Sequence, residues 1–187
     1  MTTRLLLFLL GCLLACRSAN AQVVALSTNA ADYLGLGTLN AEISYAADRH
    51  WSIQAEGRFN PWTFHAGDPA RQFQYRMQTY SAGVRWWPWY VYESWWAGAK
   101  AQYQEYNRGG LFGNRRTEEG DAFGIGLSGG YAWSLDHAWS INAGLGFWSG
   151  FTRYAAYACP LCGKVTDRGV KFFLLPDTLL LSIMYVF

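Results

Sequence analysis

After residue 21, this chain of 187 residues has no long apolar run, only two of its four cysteines and no excess of either charge. Each absence removes a class of protein. A helix crossing a bilayer needs about 20 consecutive apolar residues, and none are present. Arg4 and Arg17 account for the formal charge of +2; without them thirteen basic residues face thirteen acidic ones. With no basic stripe, nucleic acid is not an expected partner. Cys159 and Cys162 form a single CxxC with no second pair, whereas a structural zinc site normally takes four ligands. No metal site and no cofactor are expected.

The one apolar run lies at the start. Arg4 precedes Leu5–Ala15, and Ala19-Asn20-Ala21 is a small-x-small cleavage site, so residues 1–21 read as a secretory signal peptide. The run is too short to be retained as a membrane helix. Lipidation at Cys12 or Cys16 is the competing reading. Cleavage leaves residues 22–187 as one domain.

What is abundant is aromatic side chain, 18% of the chain with ten tryptophans. It is distributed with a period of two. From Trp51 to Asn60 every odd position is uncharged and every even one polar, the pattern of a β-strand with two unlike faces. The pattern recurs eight times. Its uncharged faces include Leu26, Ile43, Ile53, Val84, Ala99, Ile125, Ile141 and Ile183. A lysine or arginine on the lipid face at mid-bilayer costs about 2–4 kcal/mol, so eight faces without charge point to lipid. The expected fold is all-β, an eight-stranded antiparallel up-and-down transmembrane β-barrel.

Short connections (Ala46–His50, Pro88–Ser94, Ser134–Ala138) alternate with mostly longer ones (Ala30–Leu36, Pro61–Arg71, Asn107–Gly120, Ala155–Val170). In bacterial barrels short turns are periplasmic and long loops extracellular, which places both termini in the periplasm. Trp51, Trp86, Trp87, Trp89, Trp95, Trp96, Trp133 and Trp139 flank the short turns, and with Phe187 they are expected to form an aromatic girdle. One segment resists the pattern. Gln72, Gln74, Arg76 and Gln78 reverse the phase of the strand that follows, which calls for a bulge or an extension above the bilayer. A soluble lipocalin-like or sandwich fold also alternates, but it requires apolar residues inside.

The inward faces carry Glu42, Glu56, Arg58, Arg85 and Lys100, opposite a wall rich in glycine (Gly124, Gly126, Gly130, Gly144, Gly146). An eight-stranded barrel has room inside only for side chains, so an ion-pair network that closes the lumen is expected. A polar conduit is the alternative. Cys159 and Cys162 are expected to form a disulfide in an outer loop, with paired free thiols, zinc or a redox role as other readings. Of three histidines, His50 and His137 occupy short turns, and His65, in an outer loop near Asp68, is the one constellation resembling a general base with an orienting carboxylate. Solvated loop residues are the plainer reading, and no enzyme is expected.

Several segments together resemble a Bacteroidota outer-membrane family catalogued as domain of unknown function 3575. They are Ala25-Leu26-Ser27-Thr28-Asn29, Trp51-Ser52-Ile53, Asn60-Pro61-Trp62-Thr63-Phe64, Arg85-Trp86, Cys159-Pro160-Leu161-Cys162-Gly163 and Tyr185-Val186-Phe187. The resemblance implies a small OmpA-type barrel in the outer membrane and supplies no reaction. The inward carboxylate expected in the fourth strand of relatives is absent, with Ser81 and Gly83 near its place. The expected role is structural or interactive, through the outer loops or the barrel wall. Expected partners are outer-membrane lipid, a protein at the loops, and the barrel assembly machinery during insertion. A narrow transport path for a small or apolar compound is the runner-up, and a lipid-modifying enzyme using His65 and Asp68 the third reading.

Overall fold

The structure, a computed structural model, describes residues 23–68, 71–110, 116–159 and 163–187. The expected signal peptide over residues 1–21, with Cys12 and Cys16, and also Cys162 lie outside the described residues. Among the described residues nine strands and one short helix succeed one another: β1 Val24–Asn29, α1 Ala30–Leu34, β2 Leu39–Asp48, β3 Trp51–Asn60, β4 Thr63–Phe64, β5 Phe73–Trp86, β6 Ser94–Gly109, β7 Thr117–Ser134, β8 Trp139–Tyr157 and β9 Val165–Val186. No described helix is long and apolar enough to cross a membrane.

All strand pairs are antiparallel. The hydrogen-bonded order is β3-β2-β1-β9-β8-β7-β6-β5, and β5 pairs with β3, so eight strands close into a ring. β4 is a two-residue addition on β5 beside β3. The dyad repeat decides which face points where, because every second side chain leaves the same side of a strand. Outward residues such as Leu26, Ile43, Ile53, Val84, Ile125 and Ile183 are exposed, while Glu42, Ser44, Ser52, Gln54, Arg58, Arg85, Lys100 and Gln102 are buried within the ring. A lipocalin-like or sandwich core would reverse those two sets.

The eight strands of the ring are unequal, from six residues in β1 to 22 in β9. β1 meets β9 only between Val186 and Ser182, whereas β8 accompanies β9 up to Val165. The strands from β5 to β9 therefore rise past β1–β3 as a curved wall, on the side of the long connections. This corrects two expected loops. The Asn107–Gly120 loop shrinks because Arg108 and Gly109 are paired with Glu118 and Thr117. The Ala155–Val170 loop shrinks because Ala155 and Ala156 are paired with Arg168 and Asp167. Charge and glycine read as loop in the sequence, but here they mark a ladder that continues past the ends of β1–β3.

The phase reversal before Thr79 has the same cause. β5 keeps one register against β3 from Asn60 to Trp51 and against β6 from Gly109 to Ala97. Arg76 and Gln78 are exposed like Tyr80, so polarity changes along one unbroken face and no bulge is needed. A bulge does occur in β9, where Gly146 pairs with Thr178 and Phe147 with Pro176, leaving Asp177 as the extra residue.

Candidate functional site: the interior of the ring

At the end of the short turns the interior is closed by an apolar floor. Trp87, Tyr92 and Trp96 pack there with Ala25, Ala132, Met184 and Val186. Trp87 Nε1 donates to Ser52 Oγ at 3.0 Å, and its ring meets Tyr92 edge-on with centroids 5.9 Å apart. Gly130 makes room for Trp96: a Cβ there would lie 2.8 Å from Trp96 Cζ2. Tyr92 reaches the floor from the β5–β6 turn with a positive φ of 69°.

This floor corrects the expected girdle. Trp87 and Trp96 are 0% and 3% exposed, so neither is on the outer face. The reason is the strand period itself. Trp86-Trp87 and Trp95-Trp96 are adjacent pairs, and adjacent residues leave opposite faces, so each pair places one ring outside and one inside. Trp51, Trp86, Trp89, Trp95, Trp133, Trp139 and Phe187 are exposed near the short turns. Several of the outer rings touch in sequence, Trp95–Tyr131 at 5.1 Å, Tyr131–Trp133 at 4.8 Å and Trp139–Tyr185 at 4.9 Å.

Above the floor lies a bidentate pair. Arg85 Nη1 and Nη2 donate to Glu42 Oε1 and Oε2, each at 2.8 Å. The guanidinium also covers Trp96, 4.6 Å from its ring centroid, and Ser27 Oγ donates to Glu42 Oε1 at 3.3 Å. The arrangement satisfies a buried carboxylate on both oxygens, as burial of charge requires.

The next layer joins the other three predicted residues through a carboxylate the sequence did not reveal. Lys100 Nζ lies 2.7 Å from Asp177 Oδ2 and 3.3 Å from Glu56 Oε2. Arg58 Nε lies 2.6 Å from Glu56 Oε1, and Arg58 Nη1 lies 3.5 Å from Asp177 Oδ1. Gln102 Nε2 donates to Asp177 Oδ1 at 3.1 Å, and Ser81 Oγ to Glu56 Oε2 at 3.2 Å. Asp177 reaches the interior because the β9 bulge re-aims it; a strict dyad count through Pro176 hides it. Asp32 of α1 completes the rim, its Oδ2 3.5 Å from Arg58 Nε. Burial pushes the Asp32 carboxyl up from its ordinary range, against the pull of Arg58.

Glu42, Glu56, Arg58, Arg85 and Lys100 are thus brought together as two stacked clusters. The cavity left between them is about 10 Å³, room for at most a single water. The arrangement can hold strands together and block passage. Among the described residues no group of three or more His, Cys, Asp or Glu is placed to hold a metal. His65 and Asp68 share an exposed turn, with Asp68 N–H donating to the His65 carbonyl at 3.2 Å. Cys159 is described, but Cys162, its expected partner, is not.

Fold and site together define a class: an all-β antiparallel protein whose eight-stranded ring encloses paired charges. The chain belongs to the family described as "Protein of unknown function (DUF3575)", whose model matches residues 5–187. No curated protein and no solved structure matches the chain significantly.

Proposed function

We propose that the chain is a small integral outer-membrane β-barrel with a side-chain-filled lumen and a non-enzymatic structural or interaction role. One observation carries the reading: the ring is turned inside out relative to a soluble protein. Ionised groups such as Arg58, Arg85 and Lys100 are buried, while Leu26, Ile53, Leu127, Leu145 and Ile183 are exposed. Exposed apolar surface on that scale is stable only against lipid or a partner. The exposed aromatics at the short turns suit the inner membrane interface.

On this reading residues 1–21 are removed on export, lipid contacts the outer wall, and the barrel assembly machinery inserts the chain. Both termini face the periplasm. The outer wall and its loops form the surface for a protein partner, since binding residues concentrate on loops held by a rigid scaffold. Cys159 and Cys162 are bonded to each other in the last outer loop; full alkylation of both in unreduced membranes would refute this.

The test is heat-modifiable gel mobility of the purified protein in detergent, with β-rich circular dichroism. A faster-migrating unheated band from the outer-membrane fraction is expected. Recovery of the mature chain in the soluble periplasmic fraction would overturn the proposal.

A further inference from the structure

Beyond the ionic layer, the inner side of the wall formed by β6–β9 lines a second cavity of about 330 Å³. Its floor is apolar. Trp148 and Phe173 meet with ring centroids 4.4 Å apart, and Leu175 and Ala122 continue the surface. Arg108 stands over it, held between the rings of Tyr75 and Tyr106, each centroid 5.1 Å away. Its Nη2 donates to Gln104 Oε1 at 3.2 Å, but its Nε is buried with no hydrogen-bond partner among the described residues.

The carboxylate that could neutralise Arg108 is already committed. Glu118 is its register partner across β6 and β7. Yet Glu118 Oε1 lies 2.7 Å from Lys171 Nζ and accepts from Tyr106 Oη at 2.9 Å. Burial pushes the Glu118 carboxyl up, but the hydrogen bonds from Lys171 and Tyr106 outweigh it and hold the group below its ordinary value. Arg116, at the rim, pairs with Asp167 at 3.4 Å. One guanidinium without a carboxylate partner among the described residues therefore overlooks an apolar, aromatic floor. Orphaned polar groups at a concave apolar site are the usual makings of a small-molecule pocket. The packed ionic layer beneath lets an occupant reside but not pass.

We propose that this cavity binds a small amphiphilic anion, its apolar or aromatic body on Trp148 and Phe173 and its acidic end on Arg108. The site lies within one folded chain, so a failure to bind in this test would leave the proposed outer-membrane barrel standing.

The experiment is isothermal titration of the full mature chain in lipid nanodiscs with 2-naphthoate and, separately, neutral 2-naphthamide, each against empty nanodiscs. Saturable binding of one naphthoate per chain is expected, about tenfold tighter than the amide, the scale of a hydrogen bond to a charged group. Arg108→Gln should remove that preference, and Trp148→Ala should weaken both probes, with circular dichroism confirming that each variant is folded. Absence of saturable naphthoate binding, or equal affinities of acid and amide for the unaltered chain, would overturn the proposal. So would an acid preference that survives Arg108→Gln. The comparison of the two probes needs no variant, so a misfolded variant would leave it decisive.

Discussion

At the scale of single residues, two aspartates in the same network should behave in opposite ways. Asp177 is held by Lys100 at 2.7 Å and by Gln102 at 3.1 Å, with its side chain 4% exposed. Asp177→Asn leaves the buried Lys100 ammonium with Glu56 alone, at 3.3 Å, and breaking one such buried pair costs about 3–5 kcal/mol. Asp32 is different because burial raises its pKa. A raised carboxyl pKa means that folding disfavours the ionised form, a cost that grows as the pH rises past the unfolded pKa and is complete only above the raised folded one. Asp32→Asn removes that cost and should leave stability unchanged or slightly higher. Denaturant titration of both variants reads the contrast, and equal losses would refute it. Gly130→Ala would drive a Cβ into the Ala143 carbonyl and to 2.8 Å from Trp96, overpacking worth about 1–3 kcal/mol. Glu42, Glu56, Arg58, Arg85 and Lys100 were legible in the sequence because each sits on an undisturbed dyad. Asp177 was not, since a bulge is a tertiary choice that leaves no mark on periodicity. Trp87 and Trp96 were misplaced for the converse reason: clustering near the turns outweighed the parity that puts them inside.

At the scale of elements, closure of the ring follows from the alternating faces, but the heights of the strands do not. The hydrophobic band ends where polar residues begin on the outward face, and the sequence cannot distinguish a polar loop from a polar ladder. In the structure that ladder makes the wall from β5 to β9, pinned across its inner face by Glu118 and Lys171. The folded pKa of Glu118 lies below the ordinary value of 4.5. Its stabilising contribution is therefore present above that value and is lost as the pH falls through the lower folded one. Both side chains are partly exposed, so the effect is local and reduced by solvent screening. Amide hydrogen exchange at the outer ends of β7, β8 and β9 should accelerate below pH 4.5, while β1–β3 are unchanged. Lys171→Met should remove this pH dependence. Uniform acceleration across all strands would contradict the assignment.

At the scale of the whole molecule, the proposal is a barrel whose ring interior holds paired charges while the apolar band of its outer face holds none. A cavity of about 10 Å³ in the ionic layer predicts no steady ion conductance in planar bilayers. Stable channels would contradict the sealed lumen while leaving the membrane reading intact. The direct test of that reading is Ile183→Arg against Ile183→Ala, compared by denaturant titration in lipid vesicles. Ile183 is 48% exposed on the outer face, between Thr28 and Ile141 in register. If that face meets the bilayer core, arginine should be about 2–4 kcal/mol less stable than alanine. If it meets water, both are ordinary surface substitutions, within roughly 0.5 kcal/mol of each other, and that result would contradict the account.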